Sequence, residues 1–268
     1  MTIFRDNVAI VTGASMGLGR ELALQLAGQG AWLALAARSG DRLAETAREC
    51  EDRGGRAIAV RTDVTQPEQC GILVDKTVKS YGRVNTLINN AGAGMTARFD
   101  EVRDLAHYER IMATNYLGSV YPTHHALPYL KQTGGRIAVM SSLAGKTGVP
   151  LYTAYCASKH ALVGFYESLR IELQDQGVNV TLIFPDFVAT GIHERNLNAQ
   201  GELLGANHGI DYQRAMSVED CARISIHAIG QRKRQILMST RGKLGQWLKL
   251  IAPRAIDRIA LRAMEKGG

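Results

Sequence analysis

Short apolar segments alternate along the chain with longer segments in which apolar residues recur every three or four positions. The short segments have the length of strands, and most follow a glycine-bearing turn: Val8–Val11, Trp32–Ala37, Ala57–Val60, Val84–Ile88, Arg136–Met140, Val178–Phe184 and Gln235–Met238. Segments this apolar predict strands that are buried on both faces, as in a parallel sheet. Between them, repeats such as Leu18, Leu22 and Leu26 predict amphipathic helices. This alternation predicts an α/β fold, either an open doubly wound sheet or a barrel.

The turn after the first strand favours the open sheet. Val8–Val11 leads into Thr12-Gly13-Ala14-Ser15-Met16-Gly17-Leu18-Gly19 and then directly into a helix. A glycine-rich turn here lets the main chain approach a pyrophosphate at the positive end of the helix dipole, although glycines also serve plain tight turns. Barrel enzymes more often hold phosphate after their last strands. We therefore expect a doubly wound parallel sheet, the Rossmann fold.

The basic charge of the chain is concentrated at its C-terminal end. The 268 residues, 46% of them hydrophobic and 21% charged, predict one large globular domain or at most two. The formal net charge is +7, yet residues 1–230 carry 22 basic and 23 acidic side chains, whereas residues 231–268 carry ten basic and two acidic ones. We therefore divide the chain into a Rossmann-fold domain over 1–240 and a basic amphipathic extension over 241–268.

Cysteine and histidine spacings argue against disulfides and metal sites. None of the four cysteines forms a C-x-x-C pair, and the seven histidines lack metal-binding spacing, so no metal is expected. Arg5 and Asp6 stand where a signal peptide would need an apolar run. No stretch approaches the roughly 18 apolar residues of a membrane-spanning helix. We expect a cytoplasmic protein, with peripheral contact to a membrane left open.

Six motifs follow one another between residues 8 and 190. They are Thr12-Gly13-x3-Gly17-x-Gly19, Asp63-Val64, Asn89-Asn90-Ala91-Gly92, Asn115, Ser142 and Tyr155-x3-Lys159. In this order and spacing they resemble the short-chain dehydrogenase/reductase family. Ala37-Arg38-Ser39, Ser141–Lys146 and the long tail resemble its hydroxysteroid-dehydrogenase-like members. The resemblance implies an NAD(P)-dependent enzyme that forms a homodimer or homotetramer through helices at about 102–131 and 153–176.

The spacing of Tyr155 and Lys159 predicts the catalytic group. Four residues apart in a helical pattern, they project from one face, unless they are an ordinary exposed pair. A phenol titrates near about 10, and a cation about 4 Å away at an effective dielectric of about 20 lowers that pKa by about 3 units. We therefore expect Tyr155 to act as general acid/base with a lowered pKa. Ser142 can hydrogen-bond the substrate oxygen, and the resemblance implies that Asn115 holds a water that relays protons to Lys159.

The end of the second strand predicts the choice of cofactor. Ala37 occupies the place where an NAD enzyme usually presents a carboxylate, and Arg38 and Ser39 follow it. A guanidinium suits a 2′-phosphate, so we expect NADP(H); NAD(H), with Arg38 merely solvated, is the alternative. Met16 stands where some NADP-using relatives place a second basic residue. The resemblance puts the cofactor against Gly13, Ser15, Met16, Gly17, Leu18, Gly19, Arg38, Ser39, Asp63, Val64, Asn90, Ala91, Gly92, Tyr155, Lys159, Pro185, Val188 and Thr190, with Asp63 and Val64 at the adenine.

One departure from the family pattern lies on the substrate side. The family shows Pro-Gly-x-Val-x-Thr, but this chain has Asp186 in place of the glycine, either a plain loop carboxylate or a determinant of substrate polarity. We prefer Ser142 to its neighbour Ser141 because of its thirteen-residue spacing to Tyr155. Residues 94–98, 143–152 and 187–216 should face the substrate, the last as a mobile lid. The expected pocket residues are Ser142, Leu143, Tyr152, Tyr155, Asp186 and Phe187.

The basic extension has two amphipathic segments separated by Pro253. The first carries an apolar stripe, and the second sets three arginines opposite apolar residues: Leu244, Trp247, Leu248 and Ile251, then Arg254, Arg258 and Arg262 opposite Ile256, Ile259 and Ala263. The stripe could dock on the domain or on a second subunit, or both segments could lie on anionic lipid. Nucleic-acid binding is the third alternative, but no motif supports it and we expect none.

Together these features predict an NADP(H)-dependent oxidoreductase that acts on a small, lipophilic carbonyl compound or secondary alcohol. An NAD-dependent dehydrogenase of the same family differs from it only at Arg38. A redox-sensing regulator that binds the dinucleotide without useful turnover is the rival of another class. The intact set of Ser142, Tyr155 and Lys159 argues against this regulator, since a pure binder need not keep it.

Overall fold

One parallel sheet of seven strands organises the computed structural model, which describes residues 3–191, 196–205 and 215–265. The strands lie in the order β3-β2-β1-β4-β5-β6-β7, which confirms the doubly wound α/β fold. Each strand end agrees with the predicted segment to within two residues. The strands are β1 (Val8–Thr12), β2 (Trp32–Ala37), β3 (Arg56–Arg61), β4 (Thr86–Asn89), β5 (Arg136–Met140), β6 (Asn179–Phe184) and β7 (Gln235–Leu237).

Helices cover both faces of the sheet. They are α1 (Gly17–Ala27), α2 (Gly40–Asp52), α3 (Pro67–Tyr81), α4 (Ala106–Met112), α5 (Gly118–Thr133), α6 (Thr153–Glu172), α7 (Val218–Gly230), α8 (Thr240–Ile251) and α9 (Pro253–Glu265). A π-helical turn over Ala113–Leu117 joins α4 to α5. One apolar core lies under α1, α2 and α7, and the other under α3, α5 and α6. Among the described residues, no helix has the length and apolar character needed to cross a bilayer.

The uninterrupted apolar character of the strands follows from the two cores. Successive side chains of a strand point to opposite faces. In β1, Ala9 and Val11 enter the first core while Ile10 enters the second, and in β6 Ile183 and Phe184 divide in the same way. Every residue of β1 is buried. A polar side chain on either face would therefore lie in a core, which explains the absence of a polar alternation.

The turns after β1 and β4 are fastened to each other at the point where the strand order reverses. Thr12 Oγ1 accepts hydrogen bonds from the main-chain N–H groups of Asn90 and Ala91, at 2.9 and 3.0 Å. The Asn90 side chain in turn donates to the Thr12 carbonyl at 3.0 Å. In open α/β sheets, the crevice at such a switch point is where ligands bind.

The predicted lid over residues 187–216 is only partly described, because residues 192–195 and 206–214 lie outside the described ranges. Its described part packs on the loop after β4. Leu197 forms a bridge with Met95, and Asn196 Nδ2 donates to Thr96 Oγ1 at 3.0 Å. This segment is therefore a wall beside the carboxyl ends of the strands.

The two predicted helices of the extension are present as α8 and α9, but the apolar stripe does not dock on the domain. Leu244, Trp247 and Ile251 are 65%, 71% and 81% exposed. The opposite, glycine-bearing face of α8 makes the contact instead, since a Cβ on Gly242 would lie 2.6 Å from the Leu143 side chain. Docking of the stripe on its own domain is therefore the wrong alternative, while lipid and a second subunit stay open.

Candidate active site

A cleft of about 1470 Å³ runs along the carboxyl ends of the strands. Its volume exceeds the roughly 300–1,000 Å³ of most small-ligand pockets, so a dinucleotide and a second molecule fit together. All the individually named cofactor-contact and pocket residues line it, whereas Asn115 does not. The sequence motifs thus converge on one continuous space.

The glycines of the first turn leave their main chain open to a ligand. Gly13 and Gly17 have φ of +67° and +53°, a conformation that side chains with a Cβ rarely adopt. A Cβ on Gly19 would lie 2.2 Å from the Gly13 oxygen, so no side chain is compatible with this packing. Because α1 begins at Gly17, its positive end faces the turn. This cradle fits the pyrophosphate of a dinucleotide.

The end of the cleft beside β2 and α2 is basic. Ala37 ends β2 with its side chain buried, and the exposed Arg38 and Ser39 follow along the cleft. Arg42, in the first turn of α2, lines the same end and was not predicted. The sequence did contain a signal for Arg42, namely a basic residue in the first turn of the helix that follows β2. Arg42 adds a second cation where Met16 supplies none.

The carboxylate of Asp63, at the predicted adenine end of the cleft, already has partners. Its Oδ1 accepts hydrogen bonds from the Thr65 N–H at 3.0 Å and the Thr65 hydroxyl at 2.8 Å. Val64 beside it is buried and packs against Gly118. Asp63 and Val64 therefore offer a shaped edge at this end of the cleft, and their contact with adenine stays a prediction.

Ser142, Tyr155 and Lys159 meet at the other end of the cleft. Ser142 follows β5, and Tyr155 and Lys159 lie one turn apart on α6. The Ser142 hydroxyl donates a hydrogen bond to the Tyr155 hydroxyl. Lys159 is 4% exposed, and its Nζ donates to the carbonyl of Met140 at 2.8 Å. An ordinary exposed helix pair is thus the wrong reading of this spacing.

Burial sets the titration of these groups, and it reverses one prediction. Enclosure of the phenol raises the pKa of Tyr155 to about 12, although the hydrogen bond from Ser142 acts in the opposite direction. Desolvation lowers the pKa of Lys159 to about 8. The expected lowering of the Tyr155 pKa is therefore wrong in this arrangement, because loss of water around the phenol has the largest effect on that pKa. Tyr155 holds its proton at neutral pH and can donate it.

Asn115 supports the site from the π-helical turn between α4 and α5. Its Oδ1 accepts from the Ala93 N–H at 2.7 Å, and its Nδ2 donates to the Ala93 carbonyl and to Ser158 Oγ, both at 2.9 Å. These bonds tie the loop after β4 to α6. Both hydrogens of Nδ2 are used, whereas Oδ1 has room for a further donor. The relay through a water at Asn115 stays a prediction.

Ser141 and Tyr152 lie close in the sequence to Ser142 and Tyr155, but their hydroxyls have other partners. Ser141 is buried, and its hydroxyl donates to the Lys159 carbonyl at 3.3 Å, so it holds α6 rather than facing the cleft chemistry. The ring of Tyr152 lies 6.4 Å from that of Tyr155 and nearly perpendicular to it. A hydrogen bond with Thr96 engages the Tyr152 hydroxyl, while burial raises its pKa. Tyr152 is accordingly placed as a wall beside Tyr155.

Asp186 is more than a solvated loop carboxylate, because both of its oxygens have partners, while a role in substrate polarity stays a prediction. It accepts a hydrogen bond from Ser239 Oγ and an ion-paired one from Arg241 Nη2, each at 2.7 Å. The contribution of the extension to the cleft was not predicted, since no local motif encodes a contact between distant segments. The lining residues from the extension include Gly242, Gly245, Gln246, Lys249, Ile256, Ile259 and Ala260.

Known families and proteins resemble this chain over most of its length. The family model for short chain dehydrogenase matches residues 7–201. The 11-beta-hydroxysteroid dehydrogenase 1A of Arabidopsis thaliana is 34% identical over 266 residues, which cover 96% of this chain and 76% of that protein.

Solved structures resemble the fold as well. A short chain dehydrogenase/reductase from Burkholderia phymatum, in complex with NAD, superposes with a TM-score of 0.82 at 27% identity, covering 95% of this chain and 96% of that one. An alcohol dehydrogenase from the archaeon Thermococcus sibiricus, complexed with 5-hydroxy-NADP, gives 0.75 at 25% identity, covering 87% and 95%. The similarity therefore includes the strands and helices that build the cleft.

Proposed function

Since this chain belongs to the short-chain dehydrogenase/reductase family and is an NAD(P)-dependent dehydrogenase/reductase, we propose that it transfers hydride between NADP(H) and a lipophilic carbonyl compound or secondary alcohol. The observation that carries the proposal is the meeting of Ser142, Tyr155 and Lys159 in the cleft that begins at the glycine turn. An intact acid/base group at the end of a dinucleotide cradle favours turnover over simple binding.

The chain's own residues supply the proton chemistry of this reaction. When bound, the nicotinamide supplies or accepts the hydride. The hydroxyls of Ser142 and Tyr155 face the same space and can both hold the oxygen of the substrate. Tyr155, which is protonated at neutral pH, donates that proton as negative charge develops on the oxygen. Lys159 then stabilises the phenolate, and in alcohol oxidation the proton moves in the reverse direction.

Two arginines support NADP(H) over NAD(H). One similar structure is in complex with NAD and another with 5-hydroxy-NADP, so the relatives do not decide between them. In this chain Arg38 and Arg42 line the cleft where Ala37 leaves no carboxylate to repel a phosphate. A guanidinium binds phosphate oxygens through bidentate, charge-assisted hydrogen bonds.

Apolar side chains at the substrate end support a lipophilic substrate. The relatives named 11-beta-hydroxysteroid dehydrogenase point in the same direction. Side chains of this kind come from four separate segments and include Leu143, Val149, Phe187, Leu197, Ile256 and Ile259.

A panel of ketones, aldehydes and secondary alcohols, followed at the nicotinamide absorbance with both cofactors, tests the proposed function. We expect turnover of apolar members of the panel with a higher kcat/KM for NADPH than for NADH. Tight NADPH binding without turnover of any member would support the redox-sensing regulator instead.

The exposed stripe of α8 favours a second role, peripheral contact with an anionic membrane surface. Trp247 and Ile251 stand out from the domain, and Arg254, Arg258 and Arg262 follow on α9, the arrangement of an interfacial helix. We expect the fluorescence of Trp247, in a Trp32→Phe background, to shift to shorter wavelength with phosphatidylserine-containing vesicles. Pure phosphatidylcholine vesicles serve as the control. If the Trp247 fluorescence does not shift, and the protein forms a dimer that is lost when the stripe is made polar, the stripe contacts a second subunit instead.

A homodimer or homotetramer formed through α5 and α6 completes the proposal. Family members form oligomers, and Ile171 on α6 is 68% exposed. Sedimentation velocity of the wild type and of Ile171→Glu would show the assembly and its loss if α6 lies in the interface.

A further inference from the structure

The carboxylate of Asp186 joins the loop after β6 to the start of the C-terminal extension. Asp186 stands between Pro185 and Phe187 on the loop after β6, and all three residues line the cleft. Its side chain is 16% exposed, while its partner Arg241, on α8, is 68% exposed. Ser239, immediately before α8, donates to the other carboxylate oxygen. Both oxygens of Asp186 are thus used by one short segment more than fifty residues away.

The same segment is the point at which α8 begins. Ser239 Oγ accepts a hydrogen bond from the Gly242 N–H at 3.0 Å and so caps the helix. One hydroxyl therefore both caps α8 and anchors it to Asp186. At the other end of α8, Lys249 Nζ donates to the carbonyl of Lys146 at 2.7 Å. The two ends of α8 are fastened to two different loops of the cleft.

Between these two anchors, α8 lies against the segment that follows Ser142. Gly242 packs on Leu143 so closely that a Cβ there would have to displace the leucine side chain. The faces of α8 and α9 that line the cleft present glycines, Gln246, Ile256 and Ile259. The carboxylate of Asp186 is neutralised by Arg241, so it adds no free charge to this wall.

We propose that Asp186 is a positioning residue that clamps the α8–α9 hairpin through Ser239 and Arg241. The clamped hairpin is then the wall that receives the apolar part of the substrate, a role that rests on the proposed function. The family's glycine at this position could make neither contact. The clamp thus acts on substrate choice, through binding of the part of the substrate distant from the reacting carbonyl.

Hydrogen–deuterium exchange of the full chain tests the clamp without any substrate. We compare Asp186→Asn, which keeps an acceptor for Ser239, with Arg241→Gln and with Arg241→Lys, which restores the charge. Lys243→Gln removes an exposed charge from the same turn of α8 and is the matched control. We expect the amides of α8 and α9 to exchange about threefold to fivefold faster in Asp186→Asn and Arg241→Gln, the effect of a partly exposed ion pair. Equal exchange in Arg241→Gln and Lys243→Gln would overturn the clamp.

A homologous series of ketones tests the wall. Each methylene that leaves water for an apolar surface contributes about 0.8 kcal/mol, so kcat/KM for 2-alkanones from 2-butanone to 2-dodecanone should rise by up to about fourfold per carbon. In Arg241→Gln we expect this rise to flatten for the longer ketones through KM, with kcat retained, and to recover in Arg241→Lys. Lys243→Gln should follow the wild type. If kcat/KM rises with chain length as steeply in Arg241→Gln as in the wild type, the hairpin is not the wall for the apolar part of the substrate.

The two measurements distinguish a failure of this proposal from a failure of the proposed function. If the wild type reduces no ketone with NADPH or NADH, the proposed function fails, and the exchange rates still decide whether Asp186 holds the hairpin. If the hairpin loosens but the chain-length dependence is unchanged, the assignment of the wall fails while the oxidoreductase activity stands.

Discussion

The ammonium nitrogen of the buried Lys159 lies 5.4 Å from the centre of the ring of Tyr155, which is half-buried in the wall of the cleft. Enclosure favours the neutral form of each group, so the two pKa values move in opposite directions from their usual values. The phenol holds its proton more firmly, and the ammonium loses its proton more easily. At about pH 8 the Lys159 amine is therefore partly charged beside a phenol that is still protonated.

The first prediction concerns the pH dependence of ketone reduction. The pKa of Lys159 is about 8, so below pH 8 the amine is charged and can stabilise the Tyr155 phenolate, and above it the charge is lost. We expect kcat for reduction to fall as the pH rises through about 8. A profile from pH 6 to 10 with saturating NADPH measures this. Because Lys159 is also an expected cofactor contact, saturation with NADPH is checked at each pH, and a kcat that is flat to pH 10 would contradict the prediction.

Replacement of Lys159 by methionine should separate stability from activity. Because the pKa of Lys159 is lowered to about 8, the folded protein binds this proton less tightly than the unfolded chain does. The free energy of unfolding should rise between about pH 8 and 10, and Lys159→Met should lose that rise. At pH 7 we expect Lys159→Met to be more stable by about 1–2 kcal/mol, after the loss of the bond to Met140, and inactive. Chemical denaturation at several pH values measures this; a less stable variant would refute it.

Removal of one hydroxyl tests the acid/base role of Tyr155. Tyr155→Phe should lower kcat by at least about 10²-fold, the usual contribution of a positioned acid, with little change in NADPH affinity. Tyr152→Phe is the matched control, since its hydroxyl bonds to Thr96, and it should retain activity within a few-fold. Stopped-flow kinetics and fluorescence titration with NADPH measure the two effects. Hydride transfer at the wild-type rate in Tyr155→Phe would rule out the assignment.

The two arginines of the basic end predict the cofactor preference. A charge-assisted hydrogen bond contributes about 1.5–3 kcal/mol, so Arg38→Ala and Arg42→Ala should each lower the NADPH/NADH ratio of kcat/KM by about tenfold or more. Arg48→Ala, at an exposed position further along α2, is the control. An unchanged ratio in Arg38→Ala would remove the argument for NADP(H), and an effect confined to Arg38 would remove Arg42 from the site.

The sequence could predict what is encoded locally. The spacing of Tyr155 and Lys159 follows from the helical period, and the strand ends follow from apolar runs that must fit two cores. Burial is a property of the assembled fold, so the direction of the Tyr155 pKa did not follow from spacing. The partners of Asp186 lie 53 and 55 residues away, and no local pattern brings them together. Arg42 was detectable in principle, as a basic residue in the first turn of α2.

The last prediction concerns the packing of the glycine turn. A Cβ on Gly19 would lie 2.2 Å from the Gly13 oxygen and 2.5 Å from Asn90 Nδ2, so Gly19→Ala must push α1 away from the turn after β4. We expect it to cost about 1–3 kcal/mol of stability, as overpacking does, and to weaken NADPH binding by displacing the cradle. Gly40→Ala is the matched control, because nothing lies within 4 Å of its added Cβ at the start of α2. Thermal unfolding and NADPH titration of the two variants make the comparison. Wild-type NADPH affinity in Gly19→Ala would mean that the cradle does not hold the cofactor, whereas a loss of affinity in both variants would point to a general effect of alanine.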